Sequence, residues 1–338
     1  FNFHFGPTLE LAPTLSGARN TVHTFGSDPA FAAEAGLLFH ETFTENRVLY
    51  MPAGFPGGGA NRADRNPAVL TTPRQALPDH DALPYRKLVA QGISMMHVGN
   101  VLSPTLDPEN RPASMSPVVI TDILRGEMGF NGVVVAGPMD DEVLRTRYDS
   151  SEAALQALEA GADMLYWQGG LLPVLHAIAR IAAEVETGAL DEARINRSLE
   201  RLDALKASLN TPDKPVTERE AAKQAGQEEL VETSRKVERH AITLLKNDGN
   251  VLPLIKKVST PVGITGTVGV DELHSLLKKE LKQVVQQRIT TAHHIGEIQR
   301  FEIERLTKNM RGIRTVICVL TDGIRVETQM ELLQALKA

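Results

Sequence analysis

One cysteine in 338 residues, Cys318, excludes an internal disulfide and leaves the redox compartment unspecified. No apolar run approaches the ~20 residues of a membrane-spanning helix, so no membrane partner is expected. Positive charge is in deficit: 36 Lys and Arg against 42 Asp and Glu give a net charge of −6. That balance offers no basic face for nucleic acid. The first residues carry neither a charged n-region nor an apolar h-region, so no signal peptide is visible. The pair His293-His294 has no carboxylate or cysteine at ligand spacing, and neither a metal nor another cofactor is expected. Gly263, Gly266 and Gly269 are wrongly spaced for a dinucleotide loop. What is present is an apolar share of 42% and a charged share of 23%, the composition of a globular protein. The length suits one barrel-sized domain plus part of a second.

Along the chain, short apolar runs alternate with amphipathic stretches, the pattern of an α/β fold. Phe1–Leu11 and Val48–Met51 read as strands, followed by Ile93–Val98 and Val133–Val135. Pro29–Glu45, Asp81–Gln91 and Pro117–Met128 read as helices, with Ser27 or Asp28 capping the first and Ser116 the third. Further helices are predicted over Asp149–Gly161, Leu171–Thr187 and Asp191–Leu209. Asn210–Pro215 breaks helix, and the polar run to Gln227 reads as a solvated helix. Beyond it, Ile264–Gly266 and Val316–Leu320 are predicted to be parallel-sheet strands, and Lys278–Gln287 a solvated helix face.

The stretch Leu49–Asn66 stands apart, a strand running into a loop with Gly57, Gly58 and Gly59 in succession. Such glycines permit close backbone approach and φ > 0. This loop resembles the signature of family 3 glycoside hydrolases, in the branch of bacterial β-N-acetylglucosaminidases. The family reads Lys-His-Phe-Pro-Gly-His-Gly and, after a short spacer, Asp-Ser-His. Phe55, Pro56, Gly57 and Gly59 match the frame, and Asp64 matches the aspartate of the triplet. Ala53 stands at the sugar-binding lysine, Gly54 and Gly58 at the two loop histidines, and Asn66 at the histidine proposed as general acid/base. The likeness extends through Phe3–Leu11 (with Glu10 at the family's aspartate), Val22–Pro29 (with His23 at a sugar-gripping arginine), Arg111–Ser116, Ala160–Met164 and Glu232–Leu254. It implies a TIM-type (β/α)8 barrel at 1–209 whose earliest strands are lacking from this chain. A linker at 210–229 and the start of a second α/β sandwich-type domain at 230–338 complete the expectation, with Ala338 falling mid-domain.

A retaining glycosidase needs a carboxylate nucleophile and a proton donor roughly 5–5.5 Å apart. The resemblance places the nucleophile at Gly137, which has no side chain to attack with. Asp140 and Asp141 are weak stand-ins, displaced by about one helical turn, ~5 Å. For both, a helix-start aspartate favoured by the helix dipole is the preferred reading. His97 is open between a cleft-lining residue and a buried structural histidine. Asp64 is open between a ligand hydroxyl and its own loop, the loop being favoured. Trp167 reads as packing rather than a sugar platform.

The joint loss of nucleophile, acid/base and sugar-gripping side chains favours a non-catalytic homologue, a scaffold or binding protein with at most a weak carbohydrate ligand. The alternative is an active β-N-acetylhexosaminidase-like hydrolase whose groups are displaced or supplied by segments outside this chain. A different chemistry in the same barrel is allowed, since fold does not fix function, but no convergent constellation supports it. The identity of any protein partner, and a periplasmic, secreted or cytoplasmic location, are left open.

Overall fold

The computed structural model describes residues 2–12, 24–58, 68–209, 216–225, 227–248, 251–254, 260–289, 296–320 and 326–337. The chain divides into two compact units, Phe1–Pro215 and Val216–Ala338.

In the first unit, parallel strands β1 (Phe3–Thr8) and β2 (Leu49–Ala53) pair with each other. Strands β3 (Met95–Val98), β4 (Val133–Ala136) and β5 (Met164–Leu165) form a second parallel set in that order. A bridge between Phe55 and Val98 carries the curvature from one set to the other. Parallel pairing with helical crossovers buries both faces of a sheet, and the residues divide accordingly. Met96, Val98, Val134 and Ala136 point into the layer shared with the surrounding helices. Met51, Met95, Val133 and Val135 point to the opposite, inner face. This is the (β/α)8-type barrel architecture that the alternation of short apolar runs and amphipathic stretches requires.

The helices begin where the sequence supplies caps. Asp28 accepts from the Ala30 and Phe31 N–H groups at the start of α1 (Pro29–Glu45). Helix α2 is Leu83–Ala90. Asp141 caps the short α3 (Glu142–Arg145), and Asp149 caps α4 (Ser150–Ala160), which ends at Gly161 with φ +117°. Gly170 precedes α5 (Leu171–Glu186), and Asp191 caps α6 (Glu192–Ser208). Leu202 and Leu205 of α6 pack on the inner-face residues.

Three local expectations change. Val118–Glu127 winds as a π-type helix, closed by the five-residue bond from the Met128 N–H to the Ile123 carbonyl, 2.9 Å. Asp81 does not open α2: its carboxylate turns instead to Thr72 and His80. In the second unit, Lys278–Gln287 is not one helix face. Helix α9 (Val270–Glu280) stops, and Val284–Arg288 is strand β7, paired with the fully buried β6 (Val262–Gly266).

The second unit places β6 between β7 and β8 (Thr315–Val319), all parallel. Helices α7 (Glu218–Ala225), α8 (Glu228–Ala241), α10 (Arg300–Asn309) and α11 (Val326–Lys337) belong to it. Ile303, Leu306 and Leu332 form a core of their own, and Cys318 lies half-buried on β8 with its thiol pKa pushed up to about 11 by burial.

Candidate functional site

In an α/β barrel the loops after the carboxyl ends of the strands carry the chemistry, and here those loops are locked to one another. Ala53 ends β2 with its carbonyl accepting from the Tyr85 hydroxyl at 3.0 Å and the Leu9 N–H at 3.3 Å. Gly54 follows with φ +94°, and a Cβ built there would lie 2.6 Å from Oε1 of Glu10. The Glu10 side chain thus occupies the space a histidine at position 54 would need. Gly58 is crowded in the same way: its Cβ would lie 2.9 Å from that of Leu70.

His97, at the end of β3, is 8% exposed. Its Nδ1 accepts from the Gly54 N–H at 3.2 Å, and its Nε2–H donates to the Gly137 carbonyl at 3.0 Å. A backbone N–H can only donate and a carbonyl only accept, so the neutral Nε2–H tautomer is the one these partners select. Burial pushes the imidazole pKa down to about 4. The ring packs against Phe5 and Tyr166, with centroids at 5.3 and 5.6 Å. His97 is thus a buried histidine whose two nitrogens hold the backbone of the loops after β2 and β4.

Gly137 has φ +137°, and a Cβ there would lie 2.8 Å from the Tyr166 carbonyl oxygen and 3.1 Å from the Met139 nitrogen. That carbonyl accepts from the Met139 N–H at 2.8 Å, so the obstruction belongs to the backbone joint between the loops after β4 and β5. Asp140 is not a helix-start residue. Its two oxygens accept from the Gln168 and Gly169 N–H groups at 2.9 and 2.6 Å, joining the loops after β4 and β5. Asp141 accepts from the Val143 N–H at 2.9 Å as the α3 cap. Asn100 adds a strut, donating to the Pro138 carbonyl at 2.8 Å. Trp167 donates to Ser150 at 2.8 Å and packs against the core. Burial, with the negative charge of Asp141 and Asp140, pushes the Tyr166 pKa up to about 12. His23, Asp64, Asn66 and the pair His293-His294 lie outside the described residues.

Two carboxylates near this mouth are not legible from the sequence as mouth groups. Glu10 stands out only by resemblance, and nothing in its neighbours signals that it folds over Gly54. From sequence, Asp81 reads as the first residue of a helix. It is buried, with its Cβ 2.7 Å from where a Cβ of Gly57 would be, and it accepts from Nδ1 of the half-exposed His80 at 2.8 Å. Glu10 and Asp81, after burial itself, hold the Tyr85 hydroxyl well above its ordinary pKa. Among the described residues no group of three His, Cys, Asp or Glu side chains could hold a metal ion.

Comparison with known proteins places this geometry. A profile described as the glycosyl hydrolase family 3 N terminal domain matches residues 1–205. The chain is 25% identical over 268 residues to a β-N-acetylglucosaminidase/β-glucosidase of Cellulomonas fimi, covering 76% of this chain and 47% of that protein. It is 30% identical over 214 residues to the β-hexosaminidase LpqI of Mycobacterium tuberculosis, covering 60% and 54%. The solved family 3 β-N-acetylglucosaminidase from Paenibacillus sp. str. FPU-7 superposes with a TM-score of 0.82 at 26% identity, over 100% of this chain and 65% of that one. The chain spans about half the length of the curated relatives it matches.

Proposed function

The chain belongs to glycosyl hydrolase family 3, and we propose that it is a member without the family's hydrolysis, acting as a scaffold or binding protein in amino-sugar or cell-wall glycan metabolism. The observation that carries this reading is Gly137. The resemblance puts the nucleophile there, yet a side chain at that position would collide with the Tyr166 carbonyl. The neighbouring carboxylates are committed elsewhere, Asp140 to two backbone N–H groups and Asp141 to a helix cap. Misplacement of a nucleophile by even ~1 Å costs about two orders of magnitude in rate.

Assay of the purified protein with chromogenic N-acetylglucosaminides and β-glucosides is expected to give no turnover above buffer. Turnover lost in Asp140→Asn or Asp141→Asn would show a displaced nucleophile and overturn the reading. For ligands, a site short of its polar partners leaves sugar hydroxyls desolvated without compensation. N-acetylglucosamine is therefore expected to bind no tighter than millimolar, about 4 kcal/mol or less. Titration calorimetry with N-acetylglucosamine and short muropeptide sugars checks this. A micromolar Kd abolished by replacing His97 or Asp64 would mean that the cleft recognises sugar.

One observation favours the second reading, an active β-N-acetylhexosaminidase-like hydrolase with displaced groups. His80 is half-exposed and oriented through Nδ1 by the buried Asp81, which touches the Gly57 turn. A carboxylate-oriented imidazole is the usual form of a general acid/base. On this reading Glu10, at the same mouth, is the carboxylate partner. Turnover that survives Asp140→Asn and Asp141→Asn but disappears in His80→Gln and Glu10→Gln would establish it.

A further inference from the structure

His97 is the point where the loops after β2 and β4 meet, and its chemistry makes that joint conditional. In the neutral ring, Nδ1 accepts from Gly54 and Nε2–H donates to Gly137. Adding a proton turns both nitrogens into donors. The Gly137 carbonyl keeps its bond, but Nδ1–H and the Gly54 N–H then face each other as two donors. The Gly54 N–H has no other acceptor among the described residues. We propose that His97 is a proton-operated latch, closed when neutral, whose protonation frees the Gly54 end of the glycine-rich loop from the loop after β4.

The surroundings make the release local. The next peptide stays fixed, since the Phe55 N–H donates to the His97 carbonyl at 3.1 Å and the Gly99 N–H to the Phe55 carbonyl at 3.3 Å. Gly54 itself, at φ +94° and without a side chain, is the hinge. Freed, it uncovers the space that Glu10 fills above it.

The groups facing the ring are Phe5 from β1 and Tyr166 from the loop after β5, its hydroxyl 3.5 Å from Nε2. Glu10 lies over Gly54, and Asp140 and Asp141 act on Tyr166. The bond to the Gly137 carbonyl favours a cationic ring and burial opposes it. Burial dominates, which puts the latch in its closed form at neutral pH and its release in acid. This behaviour holds whether or not the mouth is catalytic.

The test is nuclear magnetic resonance on the full chain, with labelled histidine and amide exchange. At neutral pH the His97 ring is expected to be the Nε2–H tautomer. The protection factor of the Gly54 amide, which corrects for the chemistry of exchange, is expected to fall about tenfold or more between pH ~7 and pH ~3. The amides of Met96 and Ile264 serve as controls and are expected to hold. His97→Gln keeps an acceptor and a donor in one side chain but cannot titrate, and should make Gly54 protection independent of pH. An Nδ1–H tautomer at neutral pH, unchanged Gly54 protection in acid, or a fall shared with Met96 would each overturn the latch. The wild-type measurement decides even if the variant does not fold.

Discussion

The two ends of the barrel are held together by different means. At the amino end, a single buried carboxylate gathers charge. Asp163, just before β5, accepts from Arg125 at 2.6 Å, Arg201 at 2.9 Å, Ser198 at 2.7 Å and the Val134 N–H at 2.9 Å. Arg125 also donates to the carbonyls of Gly132 and Gly161, and Arg194 to those of Leu158 and Ala162. Burial lowers the pKa of Arg125 and Arg194 from the usual arginine range. At the carboxyl end, where barrel enzymes keep their reacting groups, a neutral imidazole between two glycine peptides joins the loops after β2 and β4. Asp140 joins those after β4 and β5 through backbone N–H groups, and the Arg111–Asp107 pair stays within the loop after β3. At the amino end several guanidiniums converge on one carboxylate; at the mouth the joints between loops run through backbone N–H groups and carbonyls.

Breaking the amino end should show the largest effect. Asp163→Asn leaves the largely buried guanidinium of Arg125 and the partly exposed one of Arg201 without their carboxylate, and a broken buried pair costs about 3–5 kcal/mol. Chemical denaturation of the variant should find that loss. A cost near zero would mean that the charges at this end are no more structural than those at the other.

Acid sharpens the comparison next. The folded His97 titrates near pH 4 and the unfolded side chain near 6.5. Between those values the unfolded chain binds a proton that the folded chain does not, so stability falls as the pH falls through that window. At about 1.4 kcal/mol per unit the loss is roughly 3 kcal/mol. The slope of stability against pH should be shallower in His97→Gln by that contribution, and equal slopes would remove His97 from the account.

Gly137→Asp, which restores a carboxylate in name, should cost about 2–3 kcal/mol through its positive φ and its collision with Tyr166. It should restore no glycosidase activity, and a stable, active Gly137→Asp would erase the distinction between the two ends. Asp140→Asn should be the mildest change, about 1 kcal/mol, since it weakens two partly exposed hydrogen bonds at the start of α5. Thermal denaturation resolves it, and a larger loss would make the mouth charge-held after all.

The sequence announces the parts that repeat locally. Helix α4 is legible because Asp149 and Gly161 bracket a run of alanine and leucine. The strands are legible because Val133–Ala136 has no polar residue to expose. Gly54, Gly58 and Gly137 are legible too, by resemblance, as residues that lack side chains. What the sequence does not carry is the far partner. Nothing near His97 says that its nitrogens reach residues 54 and 137, and nothing near Asp163 announces arginines at 125 and 201. Asp81 reads from its neighbours as the start of a helix, and its bonds to Thr72 and His80 show otherwise. Periodicity reports one element at a time, whereas these contacts lie between elements.

The crowding at the glycines bears on which sequences can be reached from this one. Position 54 is filled by Glu10, position 58 by Leu70 and position 137 by the Tyr166 peptide. A histidine regained at 54 or 58 therefore meets an occupant, and each such step needs a companion change that is of no use by itself. At 137 the occupant is main chain, which no companion substitution deletes. Walks through sequence space that change one residue at a time are thus hindered in the direction of the family's loop. Single variants at these positions and their paired companions, Glu10→Ala with Gly54→His and Leu70→Gly with Gly58→His, would map that terrain.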